Sequence, residues 1–327
     1  MQFRLEKAEP LTVLAPPKRT LHKDRIVLGM AASAASFFML NTMNMFAKLL
    51  SAYHSPIEVA FYRNIIAAAP FAVWFFLLGR RDLLKVYSHP GALIIRSVIG
   101  TVSLIATFTA FNSLPLADAQ SLFFTASLFI PVMGYFFLKE RVGPYRWSAV
   151  LVGFLGMLVI VRPSGTVNLT GVSFAVSAAF MHAGLGTLLR VLGRTERPET
   201  VTFYFLTIGA VMLAFAMPFV ATVPAWREIP LFIGAGISGA FAQVLLSMAY
   251  KYAPVALVTI FNYTGIVWAT TYGWFIWGDW PGPHVWAGAS IIIASSLFII
   301  WREQRLAKLQ KLLAAHDIKV TLSAIPD

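Results

Sequence analysis

From Ile26 to Trp301 the chain is a succession of apolar stretches separated by short polar breaks. Each stretch runs to about 20 residues, enough for a helix to cross ~30 Å of hydrocarbon. The pattern predicts ten spans: 26–50, 56–78, 90–111, 117–138, 147–161, 169–189, 202–220, 229–249, 254–276 and 284–301. The expected fold class is therefore an all-α polytopic membrane protein. Residues 1–25 are polar and basic, and the run that follows is too long for a signal-peptide core, so it predicts an uncleaved anchor. Residues 302–327 include REQRLAKLQKLLAAHDIK, where apolar positions recur at helical spacing between charges. That predicts a short amphipathic helix on the membrane face.

Composition agrees with the pattern. Of 327 residues, 58% are apolar and 12% charged, with mean hydropathy +0.73. A soluble domain carries roughly twice that charged fraction. The net charge of +12 would suit nucleic acid if it lay on one soluble face, but its placement points elsewhere. The amino tail, 79–89, 139–146, 190–201, 250–253 and the carboxyl tail hold 21 of the 26 Lys and Arg. The intervening loops hold only Arg162 and Arg227, and Lys48, Arg63 and Arg96 lie inside spans. This is the positive-inside bias, which predicts cytoplasmic termini in a cell membrane, here a bacterial inner membrane. The expected partners are then anionic lipid headgroups and a small-molecule substrate, with no nucleic acid; a homodimer is compatible with the pattern.

The chain repeats itself. PIEVAFYRNIIAA (56–68) returns as PETVTFYFLTIGA (198–210), with Phe205 where the first copy has Arg63. LPLADAQSLFFTASLFIPVMGYFFLKERVGPYRW aligns with YAPVALVTIFNYTGIVWATTYGWFIWGDWPGPHVW at a constant shift of 139. Pro115 meets Pro254, Thr125 meets Thr264, and Glu140 meets Asp279; Gly143, Pro144 and Trp147 meet Gly282, Pro283 and Trp286. Two five-helix halves result, 26–162 and 169–301. Five is odd, so the second half enters the bilayer from the opposite side, with Pro115 outside and Pro254 inside. Inverted halves of this kind commonly supply alternating access to a central site.

The segment from Leu114 to Pro163 also carries a family likeness: a small-polar opening to the fourth helix, Glu140-Arg141 at its end, then Gly143-Pro144 and Trp147 before a Gly-bearing fifth helix. It resembles the second part of an EamA domain of the drug/metabolite transporter superfamily. The later copy departs mildly, with Gly278-Asp279 where the family often has Gly-Glu. Over roughly 26–301 the resemblance implies ten helices in two EamA repeats and carriage of small organic solutes.

An ionisable group at membrane depth costs several kcal/mol unless paired, snorkelled or wetted. Arg63 sits about 10 Å into its span, and Asn41, Asn44 and Lys48 align on one face of the first helix. Arg63 either contacts cargo or clamps onto Glu58 or Asp118. Lys48 can snorkel outward and Arg96 can reach a lipid phosphate from the cytoplasmic side, the alternative for Arg96 being cargo. Neutral candidates cluster near mid-membrane: Thr125 and Ser127, with Pro131 expected to break the fourth helix, then His182, Gln243, Asn262, Tyr263, Trp268 and Tyr272. Interhelical hydrogen bonding is the plain reading of each; together they make a pocket for a small, polar, partly planar molecule. His182 could also carry a coupling proton.

No catalytic or cofactor motif competes. GAGISG (234–239) satisfies G-x-G-x-x-G but lies in an apolar helix with no preceding strand, so it reads as close helix packing. HExxH, a Walker loop, GxSxG and paired Cys/His spacings are missing, and the chain has no cysteine, so no metal or cofactor is expected. The leading reading is a secondary carrier for a small organic metabolite bearing an anionic group, such as an amino acid or a cofactor-like compound; riboflavin and S-adenosylmethionine also fit. A membrane-embedded acyl- or group-transfer enzyme is the alternative, and a passive channel a third.

Overall fold

The computed structural model describes residues 23–77, 79, 84–138, 143–161 and 168–323, and among these it contains helices and no strands. The basic tail before Lys23, the Glu140-Arg141 pair and Arg162 lie outside the described residues. Helices covering Ile26–Leu50, Pro56–Leu77, Pro90–Ser113, Leu169–Leu192, Ile229–Tyr252 and Pro283–Leu306 are each long and apolar enough to cross a membrane. The protein is thus a multi-pass membrane protein. In chain order the helices are α1 (Lys23–Leu50), α2 (Pro56–Ala72), α3 (Pro90–Ser113), α4 (Leu116–Phe123), α5 (Ala126–Leu138), α6 (Pro144–Val161) and α7 (Leu169–Leu192). Then come α8 (Pro198–Ala214), α9 (Met217–Val220), α10 (Ile229–Tyr252), α11 (Val255–Asn262), α12 (Gly265–Tyr272) and α13 (Pro283–Ser323). α13 runs without a break from the last apolar stretch into the tail.

Local chemistry sets these boundaries. Ser55 caps α2 by accepting the Glu58 N–H at 3.2 Å, with Pro56 pre-set for the first turn. Asn168 does the same for α7, accepting from Gly171 at 3.1 Å. α2 and α12 each end in a π-helical turn, Val73–Leu77 and Gly273–Trp277. After the second, Gly278 takes φ +71°, which a side chain would resist.

The fourth and ninth expected spans are each broken in two, and the break is not where Pro131 predicted it. Pro131 lies within α5, while the interruption falls at Phe124–Thr125. There the Thr125 hydroxyl donates to the Leu122 carbonyl at 2.7 Å, competing with the helical ladder for that acceptor. The second interruption, at Tyr263–Thr264, has the same device: Thr264 Oγ1 donates to Phe261 O at 2.6 Å.

α1 packs along α10 and α7 along α3; α2 lies on α8 and α10, and α8 on α3. α6 pairs with α13, α1 also touches α11 and α12, and α7 also touches α4 and α5. Small residues permit the closest crossings. A Cβ on Gly29 would strike Ala253, one on Gly171 would strike Leu114 and Ser113, and Gly156 and Gly288 face each other's carbonyls. The GAGISG glycines serve the same end: Gly234 is covered by Phe46, Gly236 by Ile66 and Gly239 by Arg63.

Candidate functional site

Two polar assemblies lie inside the bundle. The first is built on Phe205 of α8. The Arg63 guanidinium lies 5.7 Å from that ring's centre and the Arg96 guanidinium only 3.9 Å. Arg63 is fully buried and Arg96 is 3% exposed. Arg63 donates to Asn64 Oδ1 at 2.7 Å and to the Gly239 carbonyl at 3.2 Å; Arg96 donates to Gln243 Oε1 at 2.6 Å. Gly100 and Gly239 leave room for these side chains, since a Cβ on either would collide with Arg96 or Arg63.

Among the described residues no carboxylate pairs with either arginine. Glu58, expected as one clamp for Arg63, instead accepts from Thr222 and sits beside His54. Asp118, the other expected clamp, forms no ion pair with Arg63 among the described residues. Arg96 does not reach outward for lipid phosphate, because it turns inward onto Phe205 and Gln243. A guanidinium stays charged, so neither arginine escapes the burial cost by losing a proton. Cation–π contact contributes about 2 kcal/mol when desolvated, against an effective penalty of several kcal/mol per buried ion. The Nε of Arg63 and the Nε and Nη1 of Arg96 have no partner among the described residues. The two guanidiniums thus lie buried without a counter-charge among the described residues.

The second assembly surrounds the two helix breaks. The Phe124 and Tyr263 rings meet edge to face at 5.2 Å, and the Tyr263 hydroxyl donates to Ser127 Oγ at 3.4 Å. Ser127 in turn lies 2.6 Å from Ser296. Thr125 is buried and occupied by its own helix turn, so its hydroxyl is not offered to the interior. Gly265 is overlain by the side-chain amides of Gln120 and Asn41. Asn41 spends its amide nitrogen on Phe37 O at 2.8 Å, leaving Oδ1 without a partner among the described residues; the same holds for the Oδ1 of Asn44.

Other expected site residues lie around these groups. Trp268 stacks edge-on against Phe38 at 4.8 Å, and Tyr272 shares a 2.8 Å hydrogen bond with Thr42. Asn262 is half-buried at the end of α11. Lys48 does not snorkel: its ammonium donates to the Leu114 carbonyl at 2.6 Å and lies 5.5 Å from the Trp277 ring centre. His182 is the informative case. It shares a face of α7 with Ala175, Ala178, Gly186 and Leu189, all buried, yet His182 itself is exposed. Phe123 stands beside it at 6.0 Å.

Sequence reasoning misses Gln120 and Asn64. Gln120 lies one helical turn before the Phe124 break, and Asn64 follows Arg63 directly; an amide next to a membrane-depth cation is the available signal.

A family model described as the EamA-like transporter family matches residues 27–162 and again 169–301. A riboflavin transporter of Rhizobium johnstonii is 31% identical, over 85% of this chain and 91% of its own length. The pseudopaline exporter CntI of Pseudomonas aeruginosa is 28% identical over 84% of this chain and 96% of its own. An S-adenosylmethionine uptake transporter of Rickettsia bellii is 26% identical over 85% and 93%. A crystal structure at 18% identity superposes with a TM-score of 0.58, covering 84% of this chain and 99% of that one, and so shares the fold. With both halves matched by the family's domain and relatives aligned over most of its length, the chain belongs to the EamA-like transporter family.

Proposed function

We propose that this protein is a secondary carrier of a small organic metabolite with an anionic group, moved by alternating access between two inverted five-helix halves. The two buried arginines on Phe205, with three unpartnered nitrogens and no carboxylate paired to them among the described residues, carry the cargo assignment. A carboxylate or phosphate there supplies the missing counter-charge. The amides of Asn41 and Gln120 and the ring faces of Tyr263 and Trp268 suit the rest of a polar, partly planar molecule. Relatives named for riboflavin, S-adenosylmethionine and pseudopaline support a metabolite-sized cargo.

Contacts that exchange under the repeat support the inverted halves. Residues 29 and 253 touch, and so do 171 and 114, their counterparts at shifts of 142 and 139. The Gly156–Gly288 approach exchanges with the Ser295–Ala149 hydrogen bond at a shift of 139. Counterparts also meet each other, Arg63 with Phe205 and Phe124 with Tyr263, as residues near a two-fold axis do. Broken helices at equivalent positions of both halves are characteristic of alternating-access carriers. The Lys and Arg distribution supports cytoplasmic termini in a bacterial inner membrane, with the connections at 51–55 and 221–228 outside.

Uptake into proteoliposomes of labelled solutes matched except for one anionic group tests the reading. Arg63→Gln and Arg96→Gln should each lower saturable uptake of the anionic member about 10- to 100-fold, the loss of a charge-assisted hydrogen bond of roughly 1.5–3 kcal/mol. Wild-type uptake by both variants would leave the arginines as packing groups.

A further inference from the structure

At the end of the bundle where α1 turns into α2, four polar side chains from two distant parts of the chain close on one another. His54 is 6% exposed and Glu58 fully buried. The His54 Nδ1 lies 3.2 Å from Glu58 Oε1 and 2.9 Å from Thr222 Oγ1, and its Nε2 lies 2.9 Å from Glu228 Oε2. Glu58 accepts the Thr222 backbone N–H at 3.1 Å, and its two oxygens both lie 3.1 Å from the Thr222 hydroxyl. The Phe232 ring covers the imidazole edge-on at 5.0 Å and Tyr62 covers Phe232.

A neutral imidazole has one N–H and one lone pair. Here both ring nitrogens face carboxylates, so a neutral ring must turn a lone pair on one of them. Thr222 has a single hydroxyl proton, which it can give to the ring or to Glu58 but not to both. Only the imidazolium donates to both sides, and only then does buried Glu58 have a counter-charge. Elsewhere around His54, α2 adds Tyr62, the 221–228 connection adds exposed Arg227, and Tyr53 is exposed beside it. Glu228 is held below the usual carboxylate range by its hydrogen bonds from His54 and from the Ala225 N–H.

The other end of the bundle has the same latch without the titrating ring. Glu196, the counterpart of His54 at a shift of 142, is 1% exposed. It accepts the backbone N–H of Tyr87 at 3.1 Å and of Ser88 at 2.9 Å, which clasps the connection between α2 and α3. That connection corresponds to 221–228 in the other half.

We propose that His54, Glu58 and Glu228 form a proton-binding site that latches the outer mouth of the carrier, an inference that rests on the alternating-access reading. With a proton bound, the ring ties α2 to the 221–228 connection and the mouth is shut. Loss of the proton leaves Nδ1 and buried Glu58 competing for the one Thr222 hydroxyl proton and Glu58 without a counter-charge, and the connection lets go. The inner latch is made of a carboxylate and backbone N–H groups and has no imidazole.

The chain has no cysteine, so spin labels can be placed at Tyr53→Cys and Trp226→Cys, exposed positions on the two sides of the latch. Double electron–electron resonance on the full chain in lipid nanodiscs at about pH 5.5 and about pH 8.5 brackets the imidazole range. The distance should be short and narrow at the acid value and longer and broader at the alkaline one. His54→Gln should abolish the shift; Glu228→Gln, in a connection outside the helices, should shrink or abolish it if the first variant fails to fold. A shift that persists unchanged in the variants, or no shift in the parent protein, overturns the proposal. A shift lost in the variants of a protein that moves no solute in vesicles keeps the proton site and defeats the carrier reading. Saturable transport without the shift does the reverse.

Discussion

At the scale of the residue, Phe205 explains why one repeat keeps a buried arginine that the other lacks. The two counterpart positions meet, so a cation in both would set two like charges together, whereas a cation and a ring attract. Arg96 then uses the same ring from the α3 side. Two desolvated stacks contribute about 2–4 kcal/mol. Phe205→Leu should therefore lower the melting temperature in detergent, while Phe205→Trp, which keeps a ring face, should stay near the parent. Equal melting of both variants would mean that the guanidiniums are held by Asn64, Gly239 and Gln243 alone. Depth in an apolar span makes Arg63 and Arg96 conspicuous in the sequence, but it is silent on their partners. Gly239 and Gln243 lie more than 140 residues away, and helical periodicity says which face a residue takes, not what waits opposite.

At the scale of the element, the apolar stretches are legible because each must satisfy its backbone within one helix to cross lipid. The break in the fourth span is not. Pro131 is the evident disruptor, yet a proline leaves an α-helix standing where neighbours absorb the kink, and the actual interruption comes from a hydroxyl at Thr125 and its counterpart Thr264. The repeat alignment pairs those two threonines, so the signal is present in the sequence, but a local reading gives the break to the proline. Helix crossings allow a sharper test. A Cβ on Gly29 would lie 2.8 Å from both the backbone N and the Cβ of Ala253, neither of which can step aside; one on Gly171 would meet Ser113 Cβ, equally fixed, and the Leu114 side chain, which can rotate. Gly29→Ala should cost about 1–3 kcal/mol and Gly171→Ala less. Gly91, with nothing within 4 Å, is the control and should not lose stability on the same change. Equal losses at 29 and 171 in thermal melts would remove the distinction between the two crossings.

At the scale of the whole molecule, the two latches clasp opposite ends of one bundle, so releasing either should favour closure of the other. Glu196→Gln removes the charged acceptor for Tyr87 and Ser88 and frees the inner end. On the alternating-access reading, the outer label pair in that background at about pH 8.5 should shift back toward the short distance, since freeing the inner end would populate the inward-facing arrangement. A distribution indifferent to Glu196→Gln would mean that the ends move independently. The pH response also has a second edge. Glu228 has a folded pKa below its unfolded value, so its contribution is complete above the unfolded carboxylate range and is lost as pH falls through the depressed folded value. On the proposed latch the outer mouth is shut only while the ring holds its proton and Glu228 its charge, so the label distance should lengthen on both sides of a central pH interval. A distance that grows only toward alkaline pH would show that Glu58 and Thr222 hold the ring without Glu228.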